Sequence, residues 1–202
     1  MRAAIGCRAR SGWATLVAVQ MPEDDVHLPD LVLSRRINLT RHGGADEKQP
    51  YHAGADLPLD EARELIAVVT AEATSRAEQA VRDLVHELGD VDGFGIVLGS
   101  GKSFAPASYP PLEKILGAHA LLHAAEGEMF RDVMTRGAER AGLRIVGETE
   151  RDLPAALAHA AGRTEAAVQQ HVAVAGKHLG PPWTAQEKFA GLVAWLALLP
   201  QR

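Results

Sequence analysis

The chain has 202 residues, long enough to bury a sizeable core, and its 47% hydrophobic and 23% charged residues argue against disorder and against membrane spanning. A net charge of -5 argues against coating nucleic acid through bulk charge and leaves room only for a local basic groove. The single cysteine, Cys7, excludes an internal disulfide and a cysteine-rich zinc site, and with aromatics at 4% the core must be built mainly from Ala, Leu, Val and Ile. No run reaches the ~18 apolar residues of a membrane span. Arg8 and Arg10 break the apolar core that a signal peptide would need, so a cytoplasmic location and no membrane partner are expected.

In chain order, residues 3–10 and 13–20 are β-prone runs joined through Ser11-Gly12 as a hairpin. After an acidic turn, residues 31–39 predict a third strand and complete a meander. Residues 41–58 are rich in Gly, Asp, His and Pro and read as a loop over one sheet edge, carrying Tyr51 and His52. From Leu59 the period is helical, with Asp60 and Glu61 favourable to the helix dipole, until Gly89 stops it. Residues 91–98 predict a strand whose Ile96-Val97-Leu98 run is apolar enough for burial on both faces. One helix over 112–142 follows, then a strand at 143–147. The tail is helical from Pro154, interrupted at Gly162, Gly176 and Gly180-Pro181-Pro182, and its last helix spans 184–199. Trp183, Phe189, Leu192 and Trp195 there read as core or as a homodimer surface. The expected organisation is an α/β domain over 1–153, with residues 154–202 a helical segment packed on it.

The predicted helix over 112–142 carries the densest chemistry. At 100° per residue, His119, His123 and Glu126 fall within about 60° of one another, on the face that also carries Leu112, Ile115, Leu116, Leu122, Met129 and Val133. A buried carboxylate left unpaired there costs several kcal/mol or stays protonated, so Glu126 needs a partner. Three readings stay open: a core His-Glu hydrogen bond, a catalytic acid-base pair helped by His52 and Lys102, or a divalent metal site of the zinc or iron type. No glutamate directly follows His119, so the zincin motif is incomplete. Glu128 points to the opposite side of the helix and reads as solvated.

Gly99-Ser100-Gly101-Lys102 ends a buried strand, where open α/β sheets bind ligands; its glycines let backbone N–H groups approach an anion and Lys102 adds charge. It lacks full P-loop spacing, and a flexible strand exit explains it as well. Arg8, Arg10, Arg35, Arg36 and Arg41 lie on the first strands and their loops, either as phosphate contacts or as solvated edge charges that block sheet aggregation. The candidate ligand-binding set is Gly99, Ser100, Gly101, Lys102, Arg8 and His52.

Three strands, then helix, strand, helix, strand, helix is the order of elements in ribonuclease H-like proteins. Ile5-Gly6-Cys7-Arg8-Ala9-Arg10-Ser11-Gly12-Trp13-Ala14 resembles the opening hairpin of RuvC-like members, and Gly176-Lys177 before a helix with Gln186-Glu187-Lys188 is similar to their C-terminal region. The resemblance implies an α/β fold with a mixed sheet: a three-stranded antiparallel meander followed by alternating helices and parallel strands. It also implies two divalent metals held by carboxylates near the end of the first strand, after the fourth strand and in the last helix. This chain departs from that pattern, with Cys7 or a neighbouring basic residue at the first position, no carboxylate in 99–102, and only Glu187 in the last helix. The expectation is therefore an anion- or nucleic-acid-binding protein without the usual two-metal site. The alternatives are a hydrolase or nuclease with a non-standard His/Glu site, and a dimerising interaction protein.

Overall fold

The computed structural model describes residues 1–21, 28–99 and 109–200. Five strands form one mixed sheet in the order β3-β2-β1-β4-β5: β1 (Arg2–Arg10), β2 (Trp13–Met21), β3 (Asp30–Asn38), β4 (Val91–Leu98) and β5 (Arg144–Thr149). β1 and β2 pair antiparallel through the positive-φ turn at Gly12, β2 and β3 pair antiparallel, and β1-β4 and β4-β5 are parallel. The carboxyl ends of β1, β3, β4 and β5 therefore share one edge of the molecule.

Side-chain alternation sorts the strands onto two cores. Ile5, Cys7, Leu16, Phe94 and Ile96 face one side, against α3 (Leu59–Leu88) and α5 (His119–Arg140). Ala4, Val17, Val19, Val97 and Val146 face the other, against α6 (Leu153–Ala160), α7 (Glu165–Ala175) and α8 (Ala185–Leu198). At β1, β2 and β4 both faces are covered, which is why these strands read as nearly continuous apolar runs.

Close approach on both sides rests on small residues. Gly6 and Gly95 are register partners in β1 and β4, and α8 lies directly on them. A Cβ on Gly6 would fall 1.9 Å from the Ala190 carbonyl oxygen, and one on Gly95 would fall 2.3 Å from that of Val193. On the other face α3 and α5 touch where Gly137 meets Ala77; a Cβ on Gly137 would lie 2.8 Å from the Ala77 methyl. The alanine-rich composition thus serves helices packed with backbones close to the sheet.

Two expectations are corrected. The segment read as a loop over 41–58 contains α1 (Ala45–Lys48) and α2 (Pro50–Gly54), each too short for a 3.6-residue period to show. The helix expected over 112–142 is two, α4 (Leu112–Leu116) and α5, because the chain turns at Gly117 and Ala118 takes an extended conformation before His119 restarts the helix. Among the described residues no helix is long and apolar enough to cross a membrane.

Candidate functional site at the strand ends

Because α5 begins at His119, its first two turns lie at the edge formed by the strand carboxyl ends, next to α2. Pro50 opens α2, which leaves the His52 N–H among the unsatisfied donors of the helix's first turn. Glu126, only 2% exposed, answers it from α5: its Oε1 accepts the His52 backbone N–H at 3.2 Å and lies 2.9 Å from His52 Nδ1. An ionised carboxylate only accepts, so opposite it Nδ1 is the donor, and in the neutral ring that tautomer puts the lone pair on Nε2.

The His52 ring lies against two more imidazoles. The His52 ring centroid lies 4.6 Å from that of His123 and 5.4 Å from that of His119, and the Nε2 atoms of His119 and His123 are 3.1 Å apart. One nitrogen from each of the three rings fits within a span of 4.8 Å. His52 is half-buried, while His119 and His123 open to solvent. The structure corrects the grouping of His119, His123 and Glu126 as one direct set. Glu126 turns inward to His52, and His52 joins the two α5 histidines.

One helical row further, Arg131 follows His123 and Gly127 at four-residue spacing on α5. Its guanidinium lies beside Gly99 at the end of β4, 3.1 to 3.3 Å from the position a Cβ on Gly99 would take, and pairs with Glu128 at 2.7 Å. Its Nε is buried with no hydrogen-bond partner among the described residues. Glu128 is therefore partly buried and ion-paired, not the solvated side chain expected. Arg131 was passed over in the sequence because i+4 spacing from His123 has no meaning until Gly99 is brought beside it.

Tyr51 and Tyr109 are a second pair that sequence spacing did not link. Their hydroxyls hydrogen-bond, and burial raises the ionisation of both phenols above the ordinary range. They separate a cleft of about 380 Å³, lined also by Thr70, Glu128, Asp132 and Arg136, from one of about 350 Å³ beside Arg63, Ile66 and Leu112.

The remaining candidates do not converge. Arg8 is 8% exposed and lies on the α8 face, where it donates to Glu150 at 2.5 Å and to the Ala185 carbonyl at 3.1 Å and stacks over Phe189. Burial lowers its pKa, and the Glu150 carboxylate offsets part of that. Arg8 and His52 thus sit over opposite faces of the sheet, so they do not line one opening. Arg10 reaches Gln186, Arg35 pairs with Glu87, and Arg36 stacks on Trp13, so the first-strand arginines form no common groove. Trp195, Leu192 and Phe189 belong to the chain's own core or pack against it. Ser100, Gly101 and Lys102 lie outside the described residues.

A scan of protein-family models and a search of curated proteins return no match. The solved structures do. RuvC of T. thermophilus in complex with a Holliday junction substrate superposes with a TM-score of 0.52 at 12% identity, over 96% of this chain and 91% of that one. A second Thermus thermophilus RuvC structure superposes with the same score and coverage at 11% identity. The fold is ribonuclease H-like. Within it, the basic residue near the end of the first strand is Arg8, turned toward the last helix and already neutralised by Glu150. Glu187 of that helix is held by the Thr184 backbone N–H and hydroxyl in a capping box.

Proposed function

We propose that this ribonuclease H-like chain binds an anionic ligand, with the phosphate backbone of nucleic acid as the leading class, at the β4 end beside Gly99 and Arg131. We further propose that it does so without the two-metal carboxylate site of RuvC-like nucleases. The observation that carries the reading is Arg131: a guanidinium paired with Glu128 and laid against Gly99 at the strand's carboxyl end, its Nε buried without a partner among the described residues. Guanidinium groups bind phosphate oxygens through charge-assisted hydrogen bonds, and the end of a parallel strand is where α/β sheets take ligands. The solved RuvC complex with a Holliday junction supports nucleic acid as the class. Arg8 in place of a first-strand carboxylate, the Leu98-Gly99 exit from β4 and the capping duty of Glu187 support binding without that cleavage chemistry.

Fluorescence anisotropy with labelled four-way junction, duplex and single-stranded DNA tests the proposal. The expected result is salt-sensitive binding with a shallow slope, reflecting few phosphate contacts, and a loss of about fivefold or more in Arg131→Ala. Absence of binding at low salt, or wild-type affinity in Arg131→Ala, overturns it. Junction cleavage with magnesium or manganese overturns the second half.

A further inference from the structure

The geometry points to a transition-metal centre of the zinc type held by His52, His119 and His123, with Glu126 as the group that orients His52. It does not rest on the anion-binding reading, since none of its residues contacts Arg131 or Gly99 through any bond described above.

Four observations carry it. First, three imidazoles from two helices offer nitrogens within 4.8 Å of one another, and the His119 and His123 Nε2 atoms are 3.1 Å apart. Two nitrogens on one tetrahedral zinc, with bonds of 2.0–2.1 Å, stand about 3.3 Å apart, so this pair already has the separation and the His52 nitrogen, within 4.8 Å, has to close by up to about 1.5 Å to join it. Second, the Glu126 carboxylate lies 2.9 Å from His52 Nδ1, which in the neutral ring leaves Nε2 to bind a metal, the carboxylate-histidine arrangement that fixes a metal-ligating imidazole. Third, the donors are all nitrogen, which suits zinc and its neighbours in the transition series and not magnesium or calcium. Fourth, a structural His-Glu bond accounts for Glu126 and His52 but leaves unexplained why two exposed histidines at i and i+4 converge on the same point.

Three protein donors leave a fourth position, and the exposure of His119 and His123 turns that position toward solvent. Closed structural zinc sites fill all four positions with protein; an open one admits water, and zinc lowers the pKa of that water enough to make a nucleophile near neutral pH. The centre would therefore serve hydrolysis, a chemistry separate from that of carboxylate-held metals in RuvC-like nucleases.

The test uses the full chain stripped with chelator and titrated with Zn²⁺ by calorimetry, and with Co²⁺ by visible absorption, which reports coordination geometry. One ion per chain with a Kd of about 1 μM or tighter is expected, with the absorption of low-coordinate cobalt. His119→Ala, which removes an exposed ring whose hydrogen bond among the described residues is to His123, should weaken binding at least about 100-fold with the apo melting temperature unchanged. Glu126→Gln should weaken it about 10- to 100-fold. His52→Ala separates the centre from a simple surface i, i+4 pair: wild-type zinc affinity in that variant, with its fold confirmed by circular dichroism, overturns the proposal. So does the absence of binding by wild type, or six-coordinate cobalt in place of the low-coordinate spectrum.

Discussion

Glu126 is the residue where burial and chemistry meet. It is almost sealed from water, yet both of its described hydrogen bonds go to a single residue of another helix, one from the backbone and one from the ring. Substituting Glu126 by Leu keeps the volume and strands two N–H donors, which costs about 1–3 kcal/mol; Glu126→Gln keeps an acceptor and should cost less. Partial solvent access to His52 places the expected loss toward the lower end of that range. Urea unfolding of the metal-free protein measures both, and two variants within about 0.5 kcal/mol of wild type would show that the bond does not hold α2 to α5.

Among the elements, α8 depends most on what is missing from its partners. It lies across β1, β2 and β4, and the paired glycines in β1 and β4 let its backbone approach the sheet. A methyl on Gly95 must displace the Val193 carbonyl, which no rotamer change relieves, so Gly95→Ala is expected to lose about 3 kcal/mol or more, and Gly6→Ala at least as much. Chemical denaturation followed by tryptophan fluorescence, to which Trp195, buried on the same helix, contributes, reads the loss. Stability unchanged in both variants would mean that α8 can ride up on the sheet at no penalty. At the same scale, the break before α5 matters to the site: an unbroken helix over 112–142 would continue past His119, whereas the turn at Gly117 makes His119 the first residue of α5.

For the whole molecule, pH dependence follows from acids that full or partial burial keeps neutral. Burial raises the phenols of Tyr51 and Tyr109 and the thiol of Cys7 above their ordinary values. The sign is fixed by linkage: as pH rises past the values these groups have in the unfolded chain, the unfolded state loses protons first and is favoured. Stability should hold through neutral pH, begin to fall near pH 9 where an unfolded thiol ionises, and fall faster above about pH 10 as unfolded phenols follow. Urea midpoints across that range in wild type and in the Tyr51→Phe, Tyr109→Phe double variant check this; an equally steep fall above pH 10 in the double variant would assign it to other groups.

The architecture was legible because its signals are local. β1, β2 and β4 are long apolar runs, the helix from Leu59 to Leu88 has a clean period and a glycine stop, and the order of elements alone matched a ribonuclease H-like sheet. The need for Glu126 to find a partner was legible too, because a carboxylate on an apolar face is costly wherever the fold puts it. The choice of partner was not. The two histidines on its own helix were nearest in sequence, but a helical row carries residues along its surface while a buried side chain points away from it. Only the packing of α2 against α5 brings His52, 74 positions away, to the inward side of Glu126. The same holds for Arg131 and Gly99, and for Tyr51 and Tyr109. Composition, period and breakers determine which segments become strands and helices, since these are properties of neighbouring residues. Which side chains share a site depends on contacts between distant segments, and those exist only once the sheet and its two helical layers have closed.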